Sequence, residues 1–400
     1  MDLRSWTFRV STRAQSFRTR RRAFLPALIA LSLAAAAGTI ESSSSLGAQR
    51  SKSPGLAAFS SKLRAQARLC SRTPSKRRYV STRGSDSNSG RLRHPWKTLS
   101  RAFDAAVAGE AVYLRSGTYP GWAIEGRSGT ADAPISLRAF PRERPVITGR
   151  LKVGGDYFCV SGLRFRGRTP ANKSSVLIYV SGAHHVEILN NAIQDSFLSG
   201  IYVGDEGDLS SDVSIIGNYI RGNGTHDRFD HGVYFGHVNR GLIANNLVVR
   251  NLAVGLKIAP EANDVIVTQN TIVANGLAGV IVGGELSWSS NRDLVVNNVV
   301  ADNAGWGIRS YWEQTVGSGN LALRNLVFAN KTGAFWFPRG GMLQRRSILA
   351  DPRFVSAADY RLRHSSPGIN RAILAYSMPF DFDGRVRSSR GRPDLGAFER

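Results

Sequence analysis

The sequence predicts an all-β solenoid: a single-stranded parallel β-helix with a short N-terminal capping helix and a C-terminal cap segment. Three observations carry this. Asn recurs at 191, 218, 246, 270, 298 and 325, spaced by 27, 28, 24, 28 and 27 residues, and a second Asn follows five residues after each of the last five, at 223, 251, 275, 303 and 330. A Gly followed by β-forming residues recurs in step at 200, 232, 255, 279 and 307, and less regularly at 333. No helical period runs between these positions. A repeat in the twenties built of short strands is one coil, whose strands pair with those of the next coil at about 4.8 Å and bury alternate side chains. Asn stacked at the turns can hydrogen-bond from coil to coil. A leucine-rich solenoid would need a helix-forming half-repeat, and a propeller would need longer, four-stranded units.

The elements follow in chain order. Residues 1–48 read as an export signal, with Arg20, Arg21 and Arg22 ahead of an apolar stretch from Ala23 to about Ala37. At about 15 residues that stretch is short for a span, which needs roughly 20. Arg21-Arg22-Ala23-Phe24-Leu25 resembles the twin-arginine signal, R-R-x-F-L, and Ala35-Ala36-Ala37 or Ala48 offers a cleavage site. Residues 49–78 are rich in Ser, Ala and Arg and read as a flexible basic linker, so order is expected from Tyr79. Leu99, Ala102, Phe103, Ala106 and Val107 fall on one helical stripe, with Thr98 to cap its start and Gly109 its end. Short β runs follow at Val112–Leu114, Ile135–Leu137, Val146–Ile147 and Tyr157–Val160, and the coils extend to residue 345. Residues 346–400 form the cap segment.

Composition excludes wholesale disorder, since 42% of 400 residues are apolar. The net charge of +24 suggests nucleic acid, but residues 1–78 hold 16 of the 53 basic side chains against two acids, Asp2 and Glu41. The excess therefore sits largely in the leader and linker, and no nucleic-acid partner is expected. No later segment is long and apolar enough to span a membrane, so a monomeric protein, secreted or on the surface of a bacterial cell, is expected. Cys70 and Cys159 either pair after export or stay as two thiols.

The Asn and Gly coils resemble the right-handed parallel β-helix superfamily that includes pectate lyases, alginate lyases and mannuronan epimerases. Tyr79-Val-Ser-Thr-Arg-Gly-Ser-Asp-Ser-Asn-Ser-Gly and Val112–Tyr119 are similar to the N-terminal cap of its secreted bacterial members. Asp351-Pro-Arg-Phe, Ser366-Pro-Gly-Ile-Asn and Asp394-Leu-Gly-Ala-Phe-Glu resemble their C-terminal segment. The resemblance covers residues 79–400 and implies a fold that hosts lyases, epimerases, hydrolases and non-catalytic spikes.

The odd coil points to the site. From first Asn to Gly is nine residues in the coils of Asn191, Asn246, Asn270 and Asn298, but fourteen in that of Asn218. The insertion, Gly224–His231, holds His226, Asp227, Asp230 and His231, with His237 just beyond, so three of the seven His lie in twelve residues. If Ile201, Val233, Leu256, Val280 and Ile308 point inward, then Tyr202, Tyr234, Lys257, Ile281 and Arg309 form the outward column. A column of Tyr, Lys and Arg beside a His/Asp loop suits an anionic sugar chain. Six residues after the Gly stands a Glu column, Glu206, Glu261, Glu285 and Glu313, whose like charges must diverge, pair with Arg or share a cation such as Ca²⁺.

These readings predict a polysaccharide lyase, or a C5-epimerase, acting on an acidic polysaccharide by removal of the C5 proton. His231 or Lys257 is the expected base, Tyr234 the proton donor and Arg309 the carboxylate partner, with Tyr202, His226 and Asp195 as further substrate contacts. The superfamily members resembled use Lys, Arg, His and Tyr on an outward strand face. No clear copy of the Asp-Pro-His motif of mannuronan epimerases is present, which weighs against epimerisation. The alternatives are a glycoside hydrolase using Asp227 and Asp230, and a non-catalytic carbohydrate binder. His184 and His185 read as structural, and no zinc spacing, phosphate loop or G-x-S-x-G elbow occurs.

Overall fold

The structure, a computed structural model, describes residues 69–167, 175–204, 208–311, 313, 315–388 and 391–400. The export signal, most of the linker and Glu206 lie outside the described residues. Short parallel strands stack into three long sheets. Sheet I runs through eleven strands from Lys76–Val80 to Met342–Arg345, sheet II through nine from Ala123–Glu125 to Gly333–Trp336, and sheet III through nine from Thr118–Pro120 to Leu326–Phe328. Each coil visits them in the order I, III, II, as in Ser214–Ile216, Tyr219–Arg221 and Val233–Phe235. A fourth, three-stranded sheet joins Ser210–Ser211, Val238–Asn239 and Ala262–Asn263.

Both Asn columns are continuous ladders. Between sheets I and III each amide oxygen accepts from the previous Asn twice: Asn218 donates its backbone N–H (2.8 Å) and its Nδ2 (3.1 Å) to Asn246 Oδ1, and Asn246 does the same to Asn270 Oδ1 (2.9 Å each). Between sheets III and II the ladder Asn223–Asn251–Asn275–Asn303–Asn330 repeats the scheme. The Gly column exists because of this second ladder. A Cβ on Gly200, Gly232, Gly255 or Gly307 would stand 2.7–2.9 Å from the Nδ2 of Asn223, Asn251, Asn275 or Asn330, so only Gly lets the strand begin there. Inside the coils, Ile201, Val233, Leu256, Val280 and Ile308 are fully buried in one apolar core. Each such side chain contributes about 1.5–3 kcal/mol.

The two ends differ from the sequence reading. Ordered structure starts before Tyr79: Leu69–Ser71 forms a 3-10 turn, Cys70 is bonded to Cys159, and Lys76–Val80 pairs along Glu110–Leu114. Pairing and a disulfide stabilise a stretch whose composition reads as linker. The helix spans Leu99–Asp104, capped by Thr98, whose side chain accepts from the Arg101 N–H, and it stops at Ala105, short of Gly109. The C-terminal segment lies along the outside of the coils as well as beyond them. Met378 packs on Ile216, Leu242 and Ala244 of sheet I, and Phe398 packs with Leu247, Val249 and Val273 of sheet III. Thr268 Oγ1 donates to the Tyr376 carbonyl (2.6 Å) and Ala397 N–H to Thr271 Oγ1 (2.9 Å). Over the middle coils the outer faces of sheets I and III carry apolar side chains, Ile216, Leu242 and Ala244 on one and Leu247, Val249 and Val273 on the other, and this segment covers them. The outer column of sheet II carries Tyr, Lys and Arg along most of its length.

Candidate functional site

Strand register sets the outward column of sheet II. Lys152, Tyr179, Tyr202, Tyr234, Lys257, Ile281, Arg309 and Trp336 are successive partners in neighbouring strands. The expected column is therefore continuous, and longer at both ends. Tyr202 and Tyr234 stack at 4.3 Å with 5° between planes, and Tyr179 meets Tyr202 edge-on at 5.5 Å. Beyond Arg309 the surface is aromatic again, where Trp306 stacks on Trp336 at 6.1 Å and Tyr311 meets Trp336 edge-on.

Lys257 is the centre of the face. Only 3% of its side chain is exposed, its Nζ lies 4.8 Å from the Tyr234 ring centroid, and it donates to Glu285 Oε2 at 3.2 Å. Burial pushes its pKa below the usual lysine value, Arg309 adds to this, and Glu285 and Glu313 pull it back. Arg309 is half-buried with its guanidinium 5.7 Å from the Trp336 ring centroid. Burial and the nearby Arg228 lower its pKa.

The inserted loop behaves differently from the expectation. His231, expected to overhang the face, is 1% exposed; its backbone N–H donates to Ser199 Oγ, and its Nδ1 faces the Val254 N–H at 3.4 Å. Its ring lies nearly parallel to Tyr234 at 6.1 Å. Burial, helped by Lys257, holds its pKa well below the usual imidazole value, so the ring is neutral. With Nδ1 turned to a backbone donor, the neutral proton belongs on Nε2, which makes His231 a donor rather than a base. Asp230, offered as a catalytic acid, is buried and holds its own turn: Oδ2 accepts from the backbone N–H of Thr225 (2.9 Å) and His226 (2.7 Å) and meets His226 Nδ1 at 2.8 Å. His226 and Asp227 lie exposed in the same loop. Asp195 stands at a left-handed turn position (φ +57°) against Gly222 of the next coil, away from the outward column.

Of the three described Glu of the column, Glu313 pairs with an Arg, Arg228 of the inserted loop, which was one of the expectations; Glu285 pairs instead with Lys257, and Glu261 meets His237 Nδ1 at 2.9 Å. Among the described residues no group of three or more His, Cys, Asp or Glu side chains is placed to hold a metal ion. His184 bonds Ser211 (2.8 Å) and His185 stacks on Tyr157, both off this face.

Arg228 joins the charges of this face through Glu313, and the sequence does not single it out; a lone Arg in a basic chain carries no signal until its partner is known. A third Asn ladder was also missed, Asn239–Asn263–Asn291, although it repeats at the same spacings of 24 and 28.

The comparisons with known proteins agree with this architecture. Residues 159–327 match the family described as the right handed beta helix region. Over 151 residues the chain is 34% identical to YwoF, an uncharacterized protein of Bacillus subtilis (strain 168), covering 36% of this chain and 28% of that protein. Over 73 residues it is 45% identical to the pectate lyase PEL9 of Emericella nidulans, covering 18% of each. The chain thus spans less than a third of the length of these two relatives. Among solved structures, pectate lyase Pel9A superposes with a TM-score of 0.56 at 17% identity, over 86% of this chain and 99% of that one. A lacto-N-biosidase from Eubacterium ramulus gives 0.51 at 16% identity, over 68% and 61%. Likeness at this level shows the fold.

Proposed function

We propose that this chain, a right-handed β-helix of the pectate lyase-like superfamily, cleaves an acidic polysaccharide by β-elimination on the outward face of sheet II. The observation that carries the reading is Lys257: a nearly buried amine with a lowered pKa, in an outward column that also presents Tyr179, Tyr202, Tyr234 and Arg309. A base needs an unprotonated fraction near the working pH, and burial supplies it. In the reaction Lys257 takes the C5 proton, the electron pair forms the C4–C5 double bond, the C4–O bond breaks, and a donor returns a proton to the leaving oxygen. Tyr234, beside Lys257, fills the donor role, and the neutral His231 behind it keeps a second positive charge away from the base. Arg309 faces the uronate carboxylate, whose neutralisation makes the C5 proton removable. Tyr179, Tyr202 and Tyr234 offer stacked rings along which successive sugars lie.

The partial likeness to a pectate lyase supports a polyuronate substrate. A screen against pectate, alginate, hyaluronan and neutral glucans, with and without Ca²⁺, tests the reading. The expected result is ultraviolet absorbance from an unsaturated uronate. New reducing ends without that absorbance would point to a hydrolase, and retention without turnover to a binder.

The site works outside the cytoplasm in this proposal. The Cys70–Cys159 bond requires an oxidising compartment, and Arg21-Arg22 heads a leader that supplies the route. Changing both Arg to Lys keeps the charge and removes the guanidinium pair, so export should stop. Undiminished protein in the medium would assign export to general secretion instead.

A further inference from the structure

The ion pair between Arg228 and Glu313 joins two edges of the same face. Arg228 belongs to the loop that enters the strand Val233–Phe235, whereas Glu313 follows the end of Trp306–Arg309, three strands further along sheet II. Each partner acts on a charge of the floor: Glu313 on Lys257, Arg228 on Arg309. Five charges from five different segments (Arg228, Lys257, Glu285, Arg309 and Glu313) therefore converge around Ile281, with three positive and two negative.

We propose that Arg228 is a specificity-determining residue that receives a carboxylate of the substrate, and that Glu313 holds this place in the free protein as an internal stand-in for it. The inference rests on the acidic-polysaccharide reading above and deepens it. A strap across the face would block a sugar chain unless it opens easily, and the exposure says that it does. The two side chains are 59% and 32% exposed, and an ion pair in such a setting adds little to stability. A uronate carboxylate entering between Arg228 and Arg309 meets two guanidinium groups, whereas Glu313 pairs with Arg228. A guanidinium fork binds any carboxylate in the same planar geometry, so one can replace the other. A neutral sugar has nothing to offer Arg228 in place of Glu313. The strap therefore selects charge at entry, before Lys257 is reached. This differs from a groove open along its length, where charge would affect only the chemical step.

Affinity electrophoresis through gels containing polygalacturonate, alginate or a neutral glucan reads binding without turnover. Glu313→Gln removes the competing charge while keeping the shape, and should be retained at least about threefold more strongly by the acidic polymer and unchanged by the neutral one. Glu313→Ala should act in the same direction. Arg228→Gln should weaken retention by about tenfold, the loss of one charged contact of about 1.4 kcal/mol, and the double variant should match Arg228→Gln. Thermal midpoints within a few degrees of wild type keep these comparisons among folded proteins. Wild-type retention with no gain in either Glu313 variant overturns the stand-in role and leaves the lyase reading intact. If neither the wild type nor any variant is retained by an acidic polymer, the substrate reading fails and the strap proposal falls with it.

Discussion

Lys257→Met should lower turnover of the polyuronate by roughly 10²–10⁴-fold, the range expected on removing a positioned general base. Met keeps the volume and the apolar stem beside Tyr234, so the coil should stay folded and the loss should fall on kcat. The pH profile separates a base from a structural side chain. Lys257 must be unprotonated to act, so activity should rise with pH through its pKa. Burial brings that limb below the usual lysine value, and Glu285 and Glu313 push it back up. Glu285→Gln removes the partner that bonds the ammonium at 3.2 Å, so the rising limb should move to lower pH. The opposite movement would mean that the titrating group is another residue. The measurements are initial rates by ultraviolet absorbance across pH and melting curves by circular dichroism. A folded Lys257→Met protein retaining more than about a tenth of wild-type kcat would remove Lys257 from the base role.

What the sequence disclosed and what it hid follow from periodicity. Asn191 to Asn325, the inward Ile201, Val233, Leu256, Val280 and Ile308, and the outward Tyr202, Tyr234, Lys257 and Arg309 each repeat at the coil period, so one register assignment places them all. Their neighbours across coils are fixed by spacing alone. The inserted loop breaks the period, and there the reading could name residues without placing them. His231 is buried because the loop folds back under Asp230, whose carboxylate accepts from Thr225 and His226; nothing in the order of His and Asp says which way such a loop turns. Arg228 meets Glu313 across 85 residues, a pairing without a local signature. The third ladder, Asn239–Asn263–Asn291, was legible in principle, but a two-step repeat stands out less than one of six positions. Residues 346–400 have no period at all. Their path over sheets I and III answers an apolar outer surface at Leu242, Leu247, Val249 and Val273 that becomes visible only once the inward set is assigned.

The two kinds of Asn ladder yield the largest expected effect on stability. Asn246→Ala should destabilise the fold by at least about 4 kcal/mol, because the side chain makes four buried hydrogen bonds. Its Oδ1 accepts from Asn218 N–H and Nδ2, and its Nδ2 donates to the Ile215 carbonyl (2.8 Å) and Asn270 Oδ1 (2.9 Å). Asn218 Nδ2 keeps Ile188 and Ile216 carbonyls as acceptors, and Asn270 Oδ1 keeps the Asn246 N–H. Asn218 N–H and the inward side of the Ile215 carbonyl lose these partners inside the core, and each group left unsatisfied costs about 1–3 kcal/mol. The two further lost bonds add about 1 kcal/mol each. Asn263→Ala is the control: its Oδ1 likewise accepts twice, here from the following coil rather than the preceding one, from Asn291 N–H (3.2 Å) and Nδ2 (3.0 Å), but this ladder is half-buried and water can replace the amide. About 1 kcal/mol is expected there. Because coils are stabilised by their neighbours, the Asn246→Ala break should also divide unfolding into two phases, one for each side of the damaged coil. Urea unfolding followed by circular dichroism and by tryptophan fluorescence measures both effects, since Trp96 lies on the N-terminal side and Trp306 and Trp336 on the C-terminal side. Equal losses in the two variants would show that the buried ladder contributes no more than a half-buried one.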